Sequence, residues 1–181
     1  QEALVDEVAE ACRACDMPLF LEPLSFALDP AQKRLPSAEK RAVVIETARR
    51  FTGRGIDVLK AEFPLDIAEE PDEAVWAEAC RELNDASQTP WVILSAGVSF
   101  DQFARQTEVA CRHGASGVMA GRAVWQEAVD LRGDARAEFL RATAVDRMDR
   151  LRAIIAAHGT PFTRHYPPSD DAAGEGWYLA Y

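Results

Sequence analysis

The feature that most constrains the fold is a regular alternation of short apolar runs with longer segments of helical periodicity along the 181-residue chain. The apolar runs have the length and composition of buried strands, and the longer segments place apolar residues on one helical face. The predicted strands are 19–26, 56–63, 91–97 and 117–124. Strands that are each separated by a helix pair in parallel through βαβ crossovers, so the pattern predicts an α/β fold.

Helical patterns fill the segments between the strands and extend to both sides of them. Ser37, at the predicted start of the second helix, is a suitable N-cap, and glycines follow the second and fourth helices. The last helix is predicted over 134–158. After Thr163 the chain is rich in Pro, Asp, Gly and Ser, which is typical of a terminal tail. We therefore expect one folded unit over 1–162 and a tail over 163–181.

The spacing of polar and small residues at the strand ends favours one α/β architecture. Glu22, Lys60, Ser95 and Gly121 lie toward the C-terminal ends of the four predicted strands, at intervals of 38, 35 and 26 residues. Such intervals fit the units of a (β/α)8 TIM barrel, whose catalytic residues lie at the C-terminal strand ends and whose last two turns commonly bind phosphate. A doubly wound sheet is the alternative, but the sequence contains no GxGxxG nucleotide fingerprint.

Charge and hydropathy exclude several classes of partner. Thirty acidic and twenty basic side chains give a formal charge of −10, which argues against binding to nucleic acid or to an anionic membrane surface. An anionic ligand must therefore be held by local positive charge. The sequence has no apolar run near the roughly 18 residues of a membrane span and no opening signal segment, so we expect a cytoplasmic protein.

Lys60 stands out among the three lysines because it alone lies on a predicted strand. With a period of two, Lys60 and Glu62 face one side of the sheet, the interior in a barrel, while their neighbours face the helices. Burial disfavours the ammonium form of lysine and yields the nucleophilic amine that a Schiff base requires. The alternative is a lysine that reaches solvent or pairs with Glu62.

Glu22, on the preceding strand, shares its face with Phe20 and Leu24 and is expected to point inward as well. A carboxylate beside an amine can move protons on a carbinolamine, or on the hydroxyl whose deprotonation breaks a carbon–carbon bond. The pair therefore predicts a base and a nucleophile on adjacent strands. Glu62, two residues after Lys60 on the same predicted strand, is expected to support the pair without contacting the substrate. A purely structural ion pair is the alternative.

The turns after the third and fourth strands have the composition of an anion site. Small residues let backbone N–H groups approach an anion, a hydroxyl adds a further donor, and an arginine supplies a forked charge. The residues that we expect to form this site are Ser95, Gly97, Gly121 and Arg122.

Metal and thiol chemistry are disfavoured by position. The histidines at 113, 158 and 165 lie at helix ends or beyond the last helix, where they form no cluster for zinc and no base for a serine hydrolase. The four cysteines fall in predicted helices, where free thiols behave as small apolar side chains. Cys12 and Cys15 form a CxxC, but no second ligand pair accompanies it. We therefore expect a site without metal or cofactor.

Four ordered motifs make a family resemblance specific. They are FLEP at 20–23, DVLKAEFP at 57–64, PWVILSAGV at 90–98 and GASGVMAGRAVW at 114–125. Together they resemble the tagatose 1,6-bisphosphate aldolase family over about residues 1 to 160, and the sulfofructosephosphate aldolases of the same group look equally close.

The resemblance implies a class I aldolase on a (β/α)8 barrel, with Lys60 as the Schiff-base nucleophile and Glu22 as the acid/base. Such an enzyme cleaves a ketohexose bisphosphate to dihydroxyacetone phosphate and a three-carbon aldehyde phosphate, or a sulfonate in the sulfofructose case, without a metal. A non-catalytic protein that binds sugar phosphates on the same scaffold, or an inactive fragment, is the alternative outside aldolase chemistry.

The resemblance also implies that part of the barrel lies outside this sequence. In the family the Schiff-base lysine lies on the sixth strand, so the four strands here correspond to the fifth to eighth. We therefore expect residues 1–162 to be the C-terminal half of a barrel. The expected partners are the N-terminal half or a second copy of the chain, which would make a homo-oligomer, together with the anionic ketose substrate.

Overall fold

Four short parallel strands form one sheet in the computed structural model, which describes residues 1–32 and 34–168. The strands are β1 (Phe20–Leu21), β2 (Val58–Ala61), β3 (Trp91–Leu94) and β4 (Gly117–Met119), and each pairs with the next in sequence order. The predicted α/β fold with a parallel sheet is confirmed, although every strand is shorter than its apolar run.

The end of the fourth predicted strand is wrong. Residues from Arg122 onward are helical, and the Val124 N–H donates to the Gly121 carbonyl at 2.9 Å. Val124 is nevertheless buried, at 5% exposure, because the short helix packs its apolar residues against the core. An apolar run of this length serves a buried strand or a buried helix equally well, and the turn at Gly121 decides between them.

Helices separate the strands and continue beyond β4. Their bounds are α1 (Glu2–Ala14), α2 (Ser37–Phe51), α3 (Glu73–Ala86), α4 (Phe100–Arg112), α5 (Arg122–Trp125), α6 (Gly133–Phe139) and α7 (Val145–His158). A 3₁₀ turn over Gln126–Val129 follows α5, and a π-helical turn over Leu140–Ala144 joins α6 to α7. The predicted 134–158 helix is thus continuous but contains a π-bulge.

Local capping explains where two of the central helices begin. The Asp72 carboxylate accepts from the Ala74 N–H at the start of α3. At the start of α4, Ser99 and Gln102 form a reciprocal capping box that satisfies two backbone N–H groups. These caps set the ends of the loops that follow β2 and β3, on the side of the sheet where the candidate site lies.

The core lies between the helices and one face of the sheet, which we call the outer face. The opposite face, which carries Lys60, is the inner face. Leu59, Trp91 and Ile93 point to the outer side and are at most 1% exposed. Apolar residues of α2, α3, α4 and α7 complete the cluster. The inner face is less well covered by the described residues: Phe20 and Met119 are 49% and 41% exposed there, although Leu94 is only 8% exposed.

The segment after α7 returns along the N-terminal end of the sheet. The Thr160 N–H donates to the Ala115 carbonyl at 2.9 Å, and the Tyr166 hydroxyl donates to the Asp57 carbonyl at 2.8 Å. Tyr166 of the predicted tail therefore contacts the residue that precedes β2, and 169–181 lie outside the described residues. In the part of the chain that the structure describes, every helix is too short or too polar to cross a membrane.

Candidate functional site

Lys60 and Glu22 meet on the inner face of the sheet. Phe20 pairs with Val58 and Leu21 with Leu59, so Glu22, one residue beyond the end of β1, lies level with Lys60. The Lys60 Nζ lies 2.8 Å from the Glu22 Oε2. The structure thus brings together the two side chains that period-two alternation predicts on one face.

The surroundings of Lys60 differ on its two sides. Its neighbours Leu59 and Ala61 are buried against helices, whereas the Lys60 side chain is 20% exposed and that of Glu22 is 41% exposed. The residue that pairs with Lys60 on β3 is Val92. The amine is therefore held by a carboxylate and flanked by an apolar residue of β3, and the Lys60 side chain remains partly exposed. Such a pair can pass one proton between an amine and a carboxylate.

Glu62 does not lie where alternation places it. The Glu62 Oε2 accepts from the Ser25 N–H at 2.5 Å, and its Oε1 lies 3.6 Å from the Nζ of Lys40 on α2. β2 ends at Ala61, so the pleat no longer dictates the direction of the next side chain. The predicted inward orientation beside Lys60 is therefore wrong, and the alternative pairing of Lys60 with Glu62 is not observed.

The turn after β3 carries two consecutive residues in the left-handed region. Ala96 has φ of 45° and Gly97 has φ of 77°, and the Val98 N–H donates to the Ser95 carbonyl at 3.1 Å. Ser95 itself is buried, at 7% exposure. Residues 95 to 98 thus form a tight turn directly after β3, at the C-terminal end of the sheet.

The turns after β3 and β4 approach each other. A Cβ atom added to Gly97 would lie 3.9 Å from the Nη2 of Arg122, and a Cβ added to Gly121 would meet no atom of the described residues within 4 Å. The four residues predicted to bind an anion therefore lie on two adjoining turns at the C-terminal end of the sheet. The guanidinium of Arg122 lies beside the glycine turn, and open space lies where a side chain at position 121 would project.

The cysteines are free in the structure, and two of them are deeply buried. Burial raises the pKa of the Cys80 thiol to about 12 and that of the Cys111 thiol to about 11, so both are protonated near neutral pH. Cys15 is exposed just beyond the end of α1. Among residues 1–32 and 34–168, no group of three or more His, Cys, Asp or Glu side chains could hold a metal ion.

Two contributors to this region were missed in the sequence, namely Lys40 and the backbone N–H of Ser25. Lys40 follows the N-terminus of α2 by one turn, where the helix dipole disfavours a cation. That unfavourable placement, in a chain with only three lysines, is the signal that could have identified it.

Comparison with known proteins adds an independent line of observation. A model of the family described as "DeoC/LacD family aldolase" matches residues 1–127. A tagatose 1,6-diphosphate aldolase of Listeria monocytogenes serotype 4a (strain HCC23) is 29% identical over 193 residues, which cover 93% of this chain and 56% of that protein. A tagatose 1,6-diphosphate aldolase of Lactococcus lactis subsp. lactis is 30% identical, over 90% of this chain and 56% of that protein.

The third similar protein is tagatose 1,6-diphosphate aldolase 2 of Streptococcus mutans serotype c (strain ATCC 700610 / UA159), which is 28% identical over 90% of this chain. The chain covers 55% of its length. The sequence therefore spans a little over half the length of each of these three curated relatives.

Proposed function

The chain belongs to the DeoC/LacD family of aldolases, and from this premise we propose that it carries the Schiff-base site of a class I aldolase. Lys60 is the nucleophile and Glu22 is the acid/base. The observation that supports this assignment is the 2.8 Å contact between the Lys60 amine and the Glu22 carboxylate on the inner face of the sheet.

The proposed reaction starts at the ketone carbon of a ketose phosphate. The neutral Lys60 amine adds to this carbon, and the carbinolamine takes up a proton and loses water to give a protonated imine. Glu22 then accepts the proton of the hydroxyl on the carbon two positions along. The bond between that carbon and the intervening one breaks, and its electron pair moves into the imine to form an enamine, releasing an aldehyde.

The second half of the reaction restores the lysine. The enamine takes up a proton at the carbon that lost its partner, and the resulting imine adds water. The carbinolamine then releases the second product, a ketone such as dihydroxyacetone phosphate, with Lys60 free again. Because the protonated imine accepts the electron pair, this reaction needs no metal, and added EDTA should leave the rate unchanged.

The turns after β3 and β4 are the proposed site for a phosphate of the substrate. The Ser95 hydroxyl, the backbone at Gly97 and Gly121, and the Arg122 guanidinium would supply its donors. Together with the activity for which the relatives are named, this favours a ketohexose bisphosphate such as tagatose 1,6-bisphosphate as the substrate. A net charge of −10 makes such local donors necessary.

We also propose that the four strands form part of a (β/α)8 barrel. The intervals between strand ends and the helices on one face of the sheet fit that architecture, and the exposed inner residues Phe20 and Met119 would be interior there. The remaining strands would come from the N-terminal half of a longer chain or from a second copy.

Trapping of the imine tests the proposal directly. The protein carrying this sequence is incubated with dihydroxyacetone phosphate and borohydride, which reduces an imine to a stable amine, and is then digested for mass spectrometry. We expect one adduct, on the peptide that contains Lys60. Lys60→Arg is the matched control, because arginine keeps the charge beside Glu22 but forms no imine.

One outcome of this experiment would contradict the Schiff-base proposal. An unmodified Lys60 peptide, in a folded protein whose melting temperature rises with dihydroxyacetone phosphate, would indicate a binding protein without Schiff-base chemistry.

A further inference from the structure

Glu62 joins two elements that border the candidate site. One carboxylate oxygen accepts from the Ser25 N–H at 2.5 Å, and the other lies 3.6 Å from the Lys40 Nζ. The side chains of Glu62 and Lys40 are only 12% and 16% exposed. A mostly buried carboxylate that loses its cation retains an uncompensated charge, so removal of Lys40 weakens the whole arrangement.

The hydrogen bond to the Ser25 N–H helps to fix the segment that carries Glu22. β1 ends at Leu21, so the sheet does not include Glu22. Pro23 has no N–H to donate and restricts Glu22 to extended conformations. Three residues after Glu22, the Ser25 N–H is bound to Glu62 across 37 positions of sequence. The segment that presents the Glu22 carboxylate is thus fixed by β1 before it and by Glu62 after it.

Lys40 lies in a position that needs an explanation. It is close to the N-terminus of α2, where the positive end of the helix dipole makes a cation unfavourable. Its neighbour Arg41 points elsewhere and pairs with Glu82 at 2.8 Å and with Glu78 at 3.5 Å. The ion pair of Lys40 with Glu62 offsets this cost. It links the cation, through the Glu62 carboxylate, to the segment from Glu22 to Ser25.

We propose that Lys40 is a positioning residue for the aldolase reaction. Through Glu62 and the Ser25 N–H it holds the Glu22 carboxylate in place against Lys60, although Lys40 itself contacts neither residue. This inference rests on the proposed function, because it assigns to Lys40 an effect on the proton transfers of Glu22. A misplacement of about 1 Å in such a group can cost up to about a hundredfold in rate.

The kinetic test compares two variants on adjacent positions of one helix. Lys40→Met removes the cation that faces Glu62, and Arg41→Met removes a cation of similar exposure that faces Glu82. We expect kcat for cleavage of tagatose 1,6-bisphosphate to fall about tenfold in Lys40→Met with KM unchanged. Arg41→Met should stay within about twofold of the wild-type kcat. Lys40→Arg keeps a cation at this position, so its kcat should be close to that of the wild type and well above that of Lys40→Met.

A second measurement follows the loop itself. In Lys40→Met the amide hydrogen of Ser25 should exchange faster with solvent than in the wild-type protein and in Arg41→Met, because its acceptor is released. Equal kcat values for the two methionine variants, or unchanged exchange at Ser25, would overturn the role of Lys40. Absence of a Lys60 adduct in the wild-type protein would instead overturn the proposed function, so the two failures are distinguishable.

Discussion

The two faces of one four-stranded sheet contain residues of very different character. On the outer face, Leu59 and Ile93 are at most 1% exposed and pack against helices. On the inner face, the Lys60 side chain is 20% exposed, and Phe20 and Met119 are open to solvent at 49% and 41%. Adjacent residues of a single strand thus belong to different environments.

This difference separates stability from chemistry. The outer face removes large apolar side chains from water, which is the main favourable contribution to folding. The inner face holds an amine and a carboxylate in contact and stabilises the fold little, because an ion pair open to water contributes little. A substitution on one face should therefore affect a different property from a substitution on the other.

The largest expected effect on stability comes from truncating the outer face. Ile93→Ala removes a fully buried side chain and leaves a cavity, so we expect the free energy of unfolding to fall by about 2 to 5 kcal/mol. Val92→Ala, one residue away on the inner face, should cost less than about 1 kcal/mol because Val92 is only partly buried. Urea denaturation of both variants measures the difference, and equal losses would contradict the comparison.

A smaller effect is expected at the edge of the inner face, in the turn after β3. Gly97→Ala places a side chain at φ of 77°, so we expect a loss of about 1 to 2 kcal/mol in stability. The added Cβ would lie at ordinary contact distance from Arg122, so the cost is conformational.

Ala96→Gly is the opposite change at the preceding residue. Ala96 has φ of 45°, and glycine relieves its conformational cost while increasing the freedom of the unfolded chain. The two contributions nearly cancel, so urea denaturation should find Ala96→Gly close to the wild type. A large loss in this variant would show that the turn depends on more than backbone conformation.

The smallest effect is expected from a charge pair in the outer helical layer. Arg147 on α7 donates to both carboxylate oxygens of Glu127, at 2.6 and 2.8 Å, and these hydrogen bonds lower the pKa of Glu127 to about 2. Glu127 is largely exposed, so Glu127→Gln should cost less than about 1 kcal/mol at neutral pH.

The stability contributed by the Glu127–Arg147 pair should depend on pH. A carboxyl group with a lowered pKa in the folded state stabilises the protein above its ordinary value of 4.5, and this contribution is lost as the pH falls toward about 2. The difference in melting temperature between wild type and Glu127→Gln should therefore be full at pH 7 and shrink below pH 4.5. A difference that grows on acidification would contradict the assignment.

Much of the fold could be predicted from local pattern, and the misses have physical causes. The four strands begin within a few residues of their predicted starts, but each ends early. Apolar character continues past a strand end because the following turn or helix is buried too, as at Val124. Hydrophobicity records burial, whereas the end of a strand depends on where the partner strand stops offering hydrogen bonds.

The candidate site divides in the same way. Lys60 could be placed on the inner face because it lies at a paired position of the sheet, where the pleat dictates direction. Glu22 and Glu62 each lie one residue beyond the end of a strand. Alternation holds for Glu22, which contacts Lys60. It fails for Glu62, which turns toward Lys40 and Ser25. Its two partners lie 22 and 37 positions away in the sequence.

The sequence by itself determined the alternation of strands and helices, the parallel order that follows from it, and the shared face of Lys60 and Glu22. Tertiary structure alone decided the partners of Glu62, the approach of Arg122 to Gly97, and the contact of Tyr166 with Asp57. The physical reason is range. Periodicity follows from backbone geometry over a few residues, whereas a buried charge or hydrogen-bonding group takes whichever partner the whole fold brings near.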